Sequence, residues 1–228
     1  MNIHVIPPIR WPEVVADRLD AAAQPGSKLC LPTGSTPREA YRRLAADGDL
    51  SESEVFLLDE FVLPPGSDAR CDNMLRRDLL DHLQAPPRVL ETWNTDAPDL
   101  DEECERMTAA VGGVFDLVLL GIGTNGHLGL NEPGSTFSSR ARPVDLHPST
   151  REATAAYGSG PVPKKGVTFG LADLMDATNV WLLATGSHKA AIVAEALNGP
   201  ISTTVPASVL QDHAGLAVFL DPDASSEL

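Results

Sequence analysis

The strongest constraint on the fold is a rhythm: short, nearly unbroken apolar runs alternate with longer amphipathic stretches along the whole chain. Runs at 3–6, 29–31, 55–58, 115–120, 180–184 and 216–220 have the pattern of strands buried on both faces. Between them, 11–23, 37–46, 73–82, 100–111, 171–175 and 188–197 carry helical periodicity, with Gly199 as a stop for the last. Such βα alternation predicts an α/β fold: a doubly wound, mostly parallel, Rossmann-like sheet with helices on both faces. No internal repeat or shift in composition divides the chain, so residues 1–228 are expected to form a single domain. Ligands of such sheets bind beyond the carboxyl ends of the strands.

Charge and cysteine usage narrow the function classes. A formal net charge of -15, with no local concentration of Lys and Arg, argues against a nucleic-acid partner. No apolar run approaches about 18 residues and no basic leader precedes an apolar core, so neither a membrane span nor secretion is expected. Cys30, Cys71 and Cys104 are widely spaced and odd in number, which fits reduced cytoplasmic thiols better than a disulfide framework or a zinc site. No metal or cofactor is expected, and formation of a homo-oligomer is left open. Between 132 and 166, Pro, Gly, Ser and Thr break every candidate element of useful length. Arg140, Arg142, Arg151, Lys164 and Lys165 there outnumber Glu132, Asp145 and Glu152, which suits a mobile lid over an anion at about 134–166. A solvated loop with scattered ion pairs is the alternative.

Four segments carry candidate chemistry. Thr33-Gly34-Ser35-Thr36-Pro37 links a strand to a helix, with Thr36 as N-cap, Pro37 in the first turn and Glu39 completing a capping box. Free N–H groups of Gly34, Ser35 and Thr36 at that helix end would cradle a phosphate, unless the segment is an ordinary tight turn. A second junction, Gly186-Ser187-His188-Lys189, uses Ser187 as cap; Lys189 opposes the positive helix end, which suggests that it reaches toward an anion. Asp59 and Glu60 end an apolar strand and point to opposite sides, so one should face ligand and the other structure or solvent. A carboxylate at a strand end suits proton abstraction α to a carbonyl.

The fourth segment is the most informative. Gly121-x-Gly123-x-x-Gly126 follows a strand, but Gly129, Asn131, Pro133 and Gly134 leave no room for the helix that a dinucleotide fingerprint requires. What remains is a glycine-rich turn that presents His127, with Glu132 five residues on, a general acid/base pair. A lone structural histidine is the alternative reading, and no second His or Cys stands at metal-ligand spacing.

Taken together, Thr33 to Pro37, Leu58-Asp-Glu-Phe61, Gly121 to His127 with Asn131-Glu-Pro133, and Gly186 to Lys189 resemble glucosamine-6-phosphate deaminases in kind, order and spacing, over about 29–221. The resemblance implies conversion of an amino-sugar 6-phosphate to a ketose 6-phosphate and ammonia. It implies that Asp59 shuttles a proton between C1 and C2, and that His127, assisted by Glu132 and Asn125, opens the sugar ring. Gly34, Ser35, Thr36 and Lys189 would hold the phosphate. Many deaminases carry a lid arginine after an Ala-Asn pair, where this chain has Ala156; Arg151, Lys164 and Lys165 are the cations available to replace it. The related 6-phosphogluconolactonases share the turn and the Gly-His element, but follow the histidine with a different stretch from Asn131-Glu132-Pro133. A non-catalytic sugar-phosphate sensor is a third reading, disfavoured by the absence of a helix-turn-helix segment.

Overall fold

The computed structural model describes residues 1–154 and 160–228. Seven parallel strands form the main sheet: β1 (Asn2–Val5), β2 (Lys28–Leu31), β3 (Glu54–Leu57), β5 (Val89–Glu91), β6 (Leu117–Gly121), β9 (Asn179–Ala184) and β10 (Leu216–Leu220). Their order across the sheet is β1-β10-β9-β6-β2-β3-β5. Consecutive residues of β2, β3 and β6 are buried, so both faces of the central strands are covered, as their unbroken apolar sequences require. An aromatic chain, Phe56–Phe115–Phe169–Trp93, runs through the core at centroid separations of 5.6, 5.0 and 4.9 Å.

The helices are α1 (Trp11–Ala22), α2 (Arg38–Asp47), α3 (Cys71–Asp78), α4 (Leu100–Val111), α5 (Pro148–Thr154), α6 (Leu171–Met175) and α7 (Ala190–Asn198). Helix α4 has the end signals its sequence promises: Asp99 accepts N–H bonds from Asp101 and Glu102, and Gly112 turns left-handed at φ 57°. From β2 the chain winds outward through β3 to β5, and from β6 it winds the other way through β9 to β10. The switch point therefore lies between the carboxyl ends of β2 and β6, where such sheets open a crevice.

Several local expectations fail. Helix α2 starts at Arg38 behind Pro37, and Thr36 makes no capping bond, because the preceding turn already has helical dihedrals; Glu39 accepts from Arg42 instead. Ser187 caps nothing either, since Gly186, at φ 87°, holds the N-terminal position of a short 3-10 turn, Ser187–Lys189, that precedes α7. The segment 132–166 is not devoid of elements. It contains β7 (Arg142–Asp145), α5 and the start of β8 (Lys165–Thr168), and with β4 (Asp59–Phe61) these strands make a small antiparallel sheet in the order β4-β8-β7. Pro143 is tolerated because β7 is an edge strand. Gly166 is required inside β8, because a Cβ there would lie 2.3 Å from Leu130 and 2.8 Å from the Glu60 carbonyl.

Candidate active site

A cleft of about 210 Å³ opens at the switch point. The turn after β2, the start of β4, the loop after β6, helix α5 and the 3-10 turn before α7 all line it. Burial and hydrogen bonding assign each side chain a distinct place.

Asp59 faces the cleft and Glu60 turns away, as alternation along an extended chain requires. Glu60 is fully buried and accepts N–H bonds from Cys71 at 2.7 Å and Asp72 at 2.8 Å at the start of α3, with the Arg70 guanidinium 3.9 Å away. Burial raises its pKa, and these donors oppose the rise. Asp59, only 7% exposed, has no such set of donors. Burial pushes its pKa up to about 7, opposed by the His127 charge and a hydrogen bond from the Cys71 thiol. The Gly129 backbone, at φ 58°, approaches so closely that a Cβ there would sit 3.4 Å from Asp59 Oδ2 and 2.9 Å from Thr168 Oγ1.

The loop after β6 folds into a tight turn in which the Gly126 N–H donates to Gly123 O and the Gly123 N–H donates to His127 O. No helix follows these glycines. The His127 ring lies over Gly123, where a Cβ would come within 2.4–2.5 Å of three ring atoms. Its Nδ1 is 3.3 Å from Glu132 Oε2 and 3.2 Å from Thr150 Oγ1. Burial would raise the Glu132 pKa, but the His127 hydrogen bond and charge, with bonds from Thr150 and Asn125, hold it at about 2. Asn125 does not touch the imidazole directly. Its Nδ2 donates to Glu132 Oε2 at 2.9 Å, and its Oδ1 accepts the His127 N–H at 3.2 Å. It steadies the ring through the carboxylate and the backbone.

In the turn after β2, which also lines the cleft, Gly34 adopts φ 109°, and the N–H groups of Gly34, Ser35 and Thr36 have no hydrogen-bond partner among the described residues. Lys189 Nζ reaches back to donate to Ile122 O at 2.6 Å, and burial lowers its pKa. The structure thus gathers all eight sequence-derived residues near one opening: Asp59, Asn125, His127, Gly34, Ser35, Thr36 and Lys189 line it, and Glu132 stands behind His127. Arg151, Lys164 and Lys165 do not line it, and Ala156 lies outside the described residues. Sequence reasoning passed over Ser149, Thr150, Cys71 and His188, which also line the cleft. His188 adjoins a recognised motif, whereas the two hydroxyl residues sit in a segment without periodicity. No group of three or more residues able to hold a metal ion occurs among the described residues, nor is any helix long and apolar enough to cross a membrane.

The chain has close counterparts among known proteins. Residues 12–219 match the family model for glucosamine-6-phosphate isomerases/6-phosphogluconolactonase. A glucosamine-6-phosphate deaminase of Pseudarthrobacter chlorophenolicus is 40% identical over 215 residues, which cover 90% of this chain and 83% of the relative. One from Streptococcus uberis is 39% identical over 92% of this chain and 91% of the relative. The solved structure of a monomeric glucosamine-6-phosphate deaminase superposes with a TM-score of 0.93 at 31% identity, covering all of both chains. The 6-phosphogluconolactonase of Trypanosoma brucei, at 23% identity and a TM-score of 0.76, shares the fold. The chain belongs to the glucosamine-6-phosphate isomerase/6-phosphogluconolactonase family.

Proposed function

We propose that the protein is an amino-sugar 6-phosphate deaminase. It takes glucosamine 6-phosphate or its galacto epimer, together with one water, to a ketose 6-phosphate and ammonia. One observation carries this reading: a single cleft joins a carboxyl group titrating near neutrality, an imidazole backed by an ionised carboxylate, a turn whose N–H groups are unpartnered among the described residues, and a lysine. Lactone hydrolysis needs no group to carry a proton between carbons. The poised carboxyl group of Asp59 therefore favours the deaminase over the lactonase.

In the proposed sequence the phosphate rests on the N–H groups of Gly34, Ser35 and Thr36 with Lys189 beside it. His127 takes the proton of the anomeric hydroxyl through Nε2 and returns it to the ring oxygen, which breaks the ring C–O bond and leaves an aldehyde at C1. Asp59 removes the C2 proton, acidified by that carbonyl, as the C1 oxygen takes up a proton, which gives a C1–C2 enolamine. Asp59 then delivers its proton to C1 while the nitrogen gives one up, leaving a C2 imine; water adds at C2, the C–N bond breaks and ammonia departs. Segment 134–166, which lays Ser149 and Thr150 beside the site, acts as its lid.

Incubating the purified protein separately with glucosamine 6-phosphate, galactosamine 6-phosphate and 6-phosphogluconolactone identifies the substrate. Ammonia from one of the amino sugars is the expected result, and hydrolysis of the lactone alone would overturn the reading. Lys189→Ala is expected to raise KM about 10–100-fold, the equivalent of one charge-assisted hydrogen bond, with a much smaller change in kcat. An unchanged KM would remove Lys189 from the phosphate site.

A further inference from the structure

Helix α5 brings two hydroxyl side chains against the His127–Glu132 pair. Ser149 Oγ accepts from Asn125 Nδ2 at 3.3 Å and lies 2.8 Å from His147 Nδ1, while the His147 N–H donates to Glu132 Oε1 at 3.3 Å. Thr150, 5% exposed, sets its Oγ1 3.2 Å from His127 Nδ1. The direct Nδ1–Glu132 separation is 3.3 Å, long for a charge-assisted bond.

The ionised Glu132 carboxylate, 3.3 Å from Nδ1, can only accept, so Nδ1 carries the hydrogen. The Thr150 oxygen, 3.2 Å from the same Nδ1, accepts a share of that N–H. The nitrogen bonded to its neighbours fixes the tautomer, and Nε2 is left as the free acceptor. Burial of Thr150 keeps water from taking over either bond.

We propose that Thr150 is a positioning residue for ring opening: its hydroxyl oxygen shares the His127 Nδ1–H with the Glu132 carboxylate and so holds Nε2 as the free base. This inference rests on the role given to His127 above. It adds a third member, supplied by α5, to the acid/base set. The position of α5 then governs the alignment of the imidazole.

Thr150→Val keeps the side chain's shape and removes the hydroxyl, and Thr150→Ser restores it. On the substrate found in the panel, Thr150→Val is expected to lower kcat about tenfold, the value of one hydrogen bond, with KM within about twofold. Thr150→Ser should recover most of the loss. Proton–nitrogen NMR of the imidazoles, with the His127 signal assigned by its absence in His127→Gln, gives a readout that does not depend on turnover. The wild type and Thr150→Ser should show a His127 Nδ1–H protected from solvent exchange, and Thr150→Val should lose that protection. Retained protection in Thr150→Val, or a loss of kcat that Thr150→Ser does not recover, would overturn the proposal. If protection depends on Thr150 but no amino sugar is deaminated, the reading of function fails while the Thr150–His127 contact stands.

Discussion

Asp59→Asn is expected to lower kcat by about 10²–10⁴-fold, the usual contribution of a positioned general base, with KM changed only a few-fold. The amide fills the same place but cannot accept the C2 proton. In the wild type the acid limb of the kcat profile should fall near pH 7, where burial has brought this carboxyl group. The same substitution should stabilise the fold at alkaline pH. The folded-state pKa of Asp59 is raised above that of the unfolded chain, so the native state binds the proton more tightly between about pH 4 and pH 7. The wild type therefore loses stability as pH rises through that window, and above it the ionised, buried carboxylate costs on the order of a few kcal/mol. Asp59→Asn avoids that cost. Its Tm should exceed that of the wild type at pH 8, by about 2–4 °C per kcal/mol, with the difference shrinking as pH falls toward 4. An active Asp59→Asn would remove the proton shuttle from the account, and a lower Tm at pH 8 would contradict the burial argument.

The second large effect comes from a methyl group. Gly123→Ala would place a Cβ 2.4–2.5 Å from Nδ1, Cε1 and Nε2 of His127, so the ring must swing away. The backbone at Gly123 does not require a positive φ, and the side chain it meets is partly exposed, so the fold should survive. Turning the ring breaks its contacts with Glu132 and Thr150 and misaligns Nε2. Because displacements of about 1 Å at a reacting centre cost about 10²-fold, kcat should fall by that order while KM for the phosphate-anchored substrate stays close to that of the wild type. Full activity in a folded Gly123→Ala would mean that the ring position is irrelevant to turnover.

Six of the seven strands of the main sheet were legible as apolar runs, the central ones because they are buried on both faces. The ends of α4 were legible because Asp99 and Gly112 carry the end signals themselves. Strands β4, β5, β7 and β8 were not, because three or four residues that include Asp, Glu, Pro or Gly have no periodicity to read, and tertiary pairing alone makes them strands. The capping roles of Thr36 and Ser187 failed because neighbouring turn geometry overrode a local pattern. At the site, residues next to glycine turns and strand ends could be found from motifs. Thr150 could not, since its importance lies in a contact across 23 positions with His127, in a stretch whose sequence shows only turn formers. Asn125 was found as well, though only the structure shows that it holds the Glu132 carboxylate and the His127 backbone N–H.

The most direct test is product stoichiometry. Purified protein supplied with the amino-sugar 6-phosphate it prefers should release one ammonia and one ketose 6-phosphate for each substrate consumed, with Asp59→Asn and Gly123→Ala depressed as above. Consumption without ammonia, or hydrolysis of 6-phosphogluconolactone in its place, would contradict the assignment of this cleft to deamination.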